Sequence, residues 1–115
     1  MIKFSDILRK HDLRRKELQL LITVGEDVIA VRSVINRLSG EVMYSIYSTN
    51  PWLDEKVGLR YDFKEFLRAL YEAELRRWRV INRVEVYEGR CHYGGEKCEK
   101  IAEYWPVLND LENLL

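Results

Sequence analysis

Two prolines and six glycines in 115 residues leave little material for a loop-rich or low-complexity chain. Two cysteines are too few for a disulfide-dense secreted scaffold. No apolar run approaches the roughly 18–20 residues that a membrane-crossing helix needs. The chain also lacks net charge, because 19 Lys and Arg side chains oppose 19 Asp and Glu. That balance argues against a protein that is strongly basic over its whole surface. Equally missing are a P-loop, a GxGxxG fingerprint, an HExxH pair and a GxSxG elbow. The opening residues show no secretory pattern, since Lys3 is followed by Asp6, Arg9, Lys10 and Asp12. A cytoplasmic setting is the expectation.

What is present points to a folded domain. Hydrophobic residues make up 47% of the chain, too many for a disordered tail. One core across residues 1–115 suits this length. Charge is unevenly placed: residues 1–40 carry +3, residues 41–59 carry −2, residues 60–90 carry +2 and residues 91–115 carry −3. Zero net charge is therefore compatible with a local basic surface.

Ser5 and Asp6 suit the start of a helix. The segment 5–22 reads as one bent helix or two short ones meeting near Asp12, with a strand at Leu18–Val24 as the rival reading. Thr23 and Glu26 have capping-box spacing. Val28, Val31, Ile35 and Leu38 then form a helical stripe that ends at Ser39-Gly40. Glu41–Thr49 alternates like a strand, and Asn50-Pro51 breaks it. The pattern also suggests a short strand near Val57–Tyr61. Asp62 and Glu65 repeat the capping-box spacing and introduce the strongest helix, through Phe63, Leu67, Leu70, Trp78 and Ile81 to an end between Arg79 and Arg83. Glu74 interrupts that stripe, which places it at the stripe's edge or paired with Arg77 or the neighbours of Trp78. Val84, Val86 and Tyr87 suggest a strand. Residues 99–114 read as a helix that Pro106 either kinks or breaks near Trp105. The expectation is a compact single α+β domain with three to five helices and a small antiparallel sheet, its N-terminal part ordered like a winged helix.

That order makes nucleic-acid binding in a small, non-enzymatic regulatory protein the leading function. In a helix-turn-helix module, Arg32, Asn36 and Arg37 on the 26–38 helix have the chemistry to read bases in DNA, and Arg9, Arg14, Arg15 and Lys16 to contact phosphates. A second basic group, Arg76, Arg77, Arg79 and Arg83, surrounds Trp78 and suits a single-strand backbone with stacked bases. The bland alternative is that these are solvated faces opposite apolar stripes. The competing function is a protein-interaction or assembly module, a homodimer or larger homo-oligomer, because the aromatic residues cannot all enter one small core.

Cys91 and Cys98 flank a Gly94-Gly95 turn and are compatible with free thiols, a disulfide, or a metal site with His92 that lacks a convincing fourth ligand. No cofactor or metal is expected. An enzyme is the weaker reading; His11-Asp12 and His92 beside Cys91 are where its chemistry would have to lie.

Overall fold

A computed structural model describes residues 1–49, 62–91 and 97–115. In chain order the elements are β1 (Ile2–Lys3), α1 (Phe4–Lys10), β2 (Leu18–Val24), β3 (Asp27–Ile35), β4 (Val42–Ser48), α2 (Phe63–Ala73), a 3-10 turn (Leu75–Arg77), β5 (Val80–Ile81), β6 (Arg83–Glu88), β7 (Glu99–Tyr104), β8 (Val107–Leu108) and a second 3-10 turn (Leu111–Leu114). Among the described residues, five strands form an antiparallel sheet in the order β4-β3-β2-β6-β7, and three short strands form a second sheet in the order β1-β8-β5. In the smaller sheet β1 runs parallel to β8, and β8 antiparallel to β5.

The chain is α+β, as the pattern predicts, but the balance of elements differs. Among the described residues there are two α-helices and eight strands, not three to five helices with one small sheet. The winged-helix order fails at its main helix. Asp27–Ile35 is β3, paired along its length with β2 on one side and β4 on the other. Five of its nine residues are β-branched, which suits a pleated surface better than a helix. Alternation decides the outcome: Ile29 and Val31 are fully buried, whereas Leu38, the last member of the helical stripe, is 100% exposed. Thr23 and Glu26 flank no helix start. Gly25 and Glu26 form a two-residue hairpin turn between the paired residues Val24 and Asp27, with Gly25 at φ +54°.

The ambiguity at 5–22 resolves into both readings in succession, a short helix and then the strand Leu18–Val24. Val42–Ser48 is the strand that its alternation predicts. Asp62 caps α2 through a hydrogen bond from the Glu65 N–H (3.0 Å). That helix stops at Ala73, well short of Arg79. The expected C-terminal helix is a hairpin partner for β6, then a cis Trp105–Pro106 bond, a short strand and a 3-10 turn. The strand suggested near Val57–Tyr61 lies outside the described residues.

One face of the large sheet supplies the core. Leu20 sits opposite Val31 and Val86, and Ile22 opposite Ile29 and Val84. These residues cluster with Phe4, Ile7 and Leu8 of α1 and with Phe66, Leu67 and Leu70 of α2. Burying each large side chain contributes roughly 1.5–3 kcal/mol, more than any single helix-propensity difference. The two ends of the chain meet here. Asp110 accepts hydrogen bonds from the Ser5 N–H (2.8 Å) and the Ser5 hydroxyl (2.5 Å). Ser5 therefore does not cap α1; it lies inside the helix and is held by a carboxylate from the far end of the chain.

Candidate functional site

The α1–β2 connection is built around Asp12. One carboxylate oxygen accepts from the Arg14 backbone N–H (2.9 Å) and Arg14 Nε (3.0 Å); the other accepts from Arg14 Nη2 (3.2 Å) and faces Arg15 Nε at 3.6 Å. The Asp12 carbonyl accepts from the Arg15 and Lys16 N–H groups. Burial alone would raise the Asp12 pKa, but the Arg14 hydrogen bonds and the charges of Arg14 and Arg15 outweigh it and hold the carboxyl below its ordinary value. Leu13 is buried and anchors the middle of the turn. At its end the Ser33 hydroxyl donates to the Lys16 carbonyl (2.7 Å) and accepts from the Leu18 N–H (3.0 Å). Glu17 accepts from Arg90 and from the Ile35 N–H. The turn is therefore tied to β2, β3 and the end of β6.

This framework gathers cations. A concavity of about 420 Å3 is lined by Arg9, Lys10, Arg14, Arg15 and Lys16, with Asp12 as the one carboxylate among its lining residues. Arg9 and Lys10 fall in the last turn of α1, where the helix dipole favours positive charge. His11 closes α1, and its N–H donates to the Ile7 carbonyl (2.8 Å). Its Nε2 lies 2.8 Å from the Tyr104 hydroxyl. Partial burial, then the charges of Lys10 and Lys16, lower the His11 pKa from its ordinary value. Ile101 completes the wall from β7, beside the irregular register at Val86/Tyr87.

Of the residues singled out from sequence, Arg14, Arg15 and Lys16 converge here, together with Arg9. Sequence reasoning did not single out Lys10 as a contact or Ile101 as a wall. Lys10 carried a signal, its position in the last turn of a short helix beside Arg9. Ile101 carried none, because its place depends on an irregular pairing.

The other candidates are not among the residues that line this concavity. Arg32 lies on a strand and donates to the Cys91 carbonyl (2.8 Å). Asn36 shapes the β3–β4 turn by accepting from the Leu38 and Ser39 N–H groups, and Arg37 is exposed in that turn. No recognition helix carries these three. Around Trp78, Arg77 pairs with buried Glu74, and Trp78 Nε1 donates to the same carboxylate at 3.3 Å. Glu74 thus leaves the helical stripe to satisfy two neighbours. Arg83 faces Glu85 and Glu103, each at 3.7 Å. Arg76 and Arg79 are exposed.

Cys91 and Cys98 form a disulfide, with Cα atoms 5.2 Å apart. His92 lies outside the described residues. His11 and Asp12, the other enzyme candidates, engage different partners: Tyr104 for the imidazole and the arginines for the carboxylate. Among the described residues no group of three or more His, Cys, Asp or Glu side chains is placed to hold a metal ion. Among them, too, no helix is long and apolar enough to cross a membrane.

Comparisons with protein-family models, curated proteins and solved structures return no match.

Proposed function

We propose that this chain is a small, non-enzymatic nucleic-acid-binding protein of the cytoplasm, regulatory in role, and that phosphates lie in the Arg9–Lys16 concavity. The observation that carries the reading is the convergence of five cations on one concave surface. Their existing partners do not compete strongly. Arg9, Arg15 and Lys16 have side chains 74%, 85% and 67% exposed, and exposed ion pairs contribute only about 0–1 kcal/mol. A phosphate that takes over such a cation displaces little. The turn is also held by its own hydrogen bonds, so little ordering cost falls on binding.

The test is nucleic-acid binding at low salt by two variants with matched charge loss. Arg9→Ala/Arg15→Ala/Lys16→Ala is expected to weaken binding by on the order of tenfold or more. Arg76→Ala/Arg79→Ala/Arg83→Ala, away from the concavity, is expected to retain most of it. Equal losses, or no binding by the parent protein to DNA or RNA, would reject the site.

A second reading, self-association, rests on a separate surface. Met1 (72% exposed), Ile2 (36%) and Trp105 (64%) border a depression of about 280 Å3 together with Pro106. Large exposed apolar groups of this kind anchor protein interfaces. Trp105→Ser should convert a dimer into a monomer in light scattering; a parent protein that is monomeric at high micromolar concentration rejects this reading.

A further inference from the structure

We propose that the nucleic acid recognised is a single strand, and that an apolar notch beside the basic concavity receives one of its bases. The proposal rests on the phosphate-binding reading and specifies its ligand. The notch, about 220 Å3, has Leu8, Phe63, Leu67 and Leu114 among its lining residues. Arg9 and Arg14 line both the notch and the concavity, so the two depressions adjoin at these side chains. Lys64 adds a third cation to the notch.

The chemistry of this pair of depressions matches a nucleotide unit. An apolar floor against a cation-rich hollow fits a planar ring attached to a phosphodiester. The Arg14 guanidinium carbon lies 4.9 Å from the centre of the Phe63 ring, and Asp12 holds the same guanidinium through two hydrogen bonds. Phe63 is in turn braced by Tyr44 and Phe66, with ring centres 5.4 and 6.1 Å away. Guanidinium planes and aromatic rings are the two surfaces on which unpaired bases stack. Here Arg14 already lies over the Phe63 ring, so the surfaces left to a base are the Arg14 side chain, 58% exposed, and the apolar lining of the notch.

A duplex does not use such a surface. Its base faces are covered by neighbouring pairs, and a base reaches a side pocket only by leaving the stack, at a cost of a few kcal/mol. A single strand offers the ring without that cost. The occupant is therefore one base of a flexible strand whose adjacent phosphates face Arg9, Lys10, Arg15 and Lys16.

Fluorescence anisotropy with four probes of equal phosphate count tests this: a short single-stranded DNA, the same sequence in RNA, a blunt-ended DNA duplex with no unpaired nucleotide, and a fully abasic strand. The parent protein should bind at least one base-bearing single strand about tenfold more tightly than the abasic strand, and more tightly than the duplex. Phe63→Leu should remove most of that tenfold preference, read as the ratio of base-bearing to abasic affinity in the same variant. Leu114→Ser, a charge-neutral change at the partly exposed end of the second 3-10 turn, should do the same if Phe63→Leu proves unstable by circular dichroism. Equal affinity for base-bearing and abasic strands overturns the notch while leaving the phosphate reading intact. Duplex binding as tight as or tighter than that of the single strand also overturns it. Failure to bind any probe, abasic strand included, is a failure of the phosphate reading itself.

Discussion

His11 is the residue through which pH reaches the basic concavity. Its pKa is depressed by partial burial first, then by Lys10 and Lys16, with Glu88 opposing. The ring is therefore largely neutral at pH 7 and gains its charge only below the ordinary value of 6.5. A bound phosphate favours the charged ring, and by linkage the charged ring favours phosphate. Oligonucleotide affinity should rise by roughly a factor of a few beyond the background trend as pH falls from 7 to 5. His11→Gln should remove that extra rise. An identical pH profile for the variant would exclude His11 as the source. The same depressed pKa makes acid destabilising: the contribution is complete above 6.5 and is lost as pH falls through the lower, folded value.

Gly25 makes a second claim at this scale. It has a positive φ, and a Cβ there would come within 2.6 Å of the Trp78 ring. The ring belongs to the chain segment that also holds Glu74 and Arg77, so it cannot retreat freely. Gly25→Ala should cost about 2–3 kcal/mol in chemical denaturation, combining left-handed backbone strain with overpacking. A loss below 0.5 kcal/mol would mean that Trp78 is not packed on this turn.

Among the elements, β3 is the sharpest test of the architecture, because its sequence supports two periodicities. A helix would bury Val31 and Leu38 on one stripe. The strand buries Val31 completely and leaves Leu38 in solvent. Val31→Ala should then cost about 2–4 kcal/mol, and Leu38→Ser less than about 0.5 kcal/mol. Comparable losses at both positions would restore the helix.

The two periodicities of β3 also show where sequence was informative. β4 and the start of α2 were legible because each has one dominant signal: alternation in Val42–Ser48 and the Asp62–Glu65 cap. β3 was not, since Val28, Val31, Ile35 and Leu38 fit a helix until the strands on both sides are known. β7 was masked in the same way, because its pairing with β6 is irregular and Pro106 mimics a helix kink. The basic residues of the α1–β2 turn could be chosen by charge alone. Their shared wall could not, because it needs Asp12 folded onto Arg14 and a strand from the far end of the chain.

At the scale of the molecule, the fold turns segmental charge into a local surface. The N-terminal excess of +3 over residues 1–40 gathers in part at one concavity, while the cations of residues 76–83 are divided between buried Glu74, the acidic pair Glu85 and Glu103, and solvent. The two termini are locked together by Ser5–Asp110 and by the β1–β8 pairing, which fixes α1 against the core and sets the position of its basic end. A chain of zero net charge can in this way present a site dominated by one sign.

The most direct measurement is the salt dependence of binding to a short single strand, for the parent protein and for Arg15→Ala/Lys16→Ala. If phosphates occupy the concavity, log affinity falls linearly with log salt. The double variant should then bind more weakly at low salt, with a slope shallower by about 0.7 for each phosphate that the replaced cations neutralise. Parallel lines of equal slope and affinity, or a parent protein that does not bind at low salt, would contradict the account.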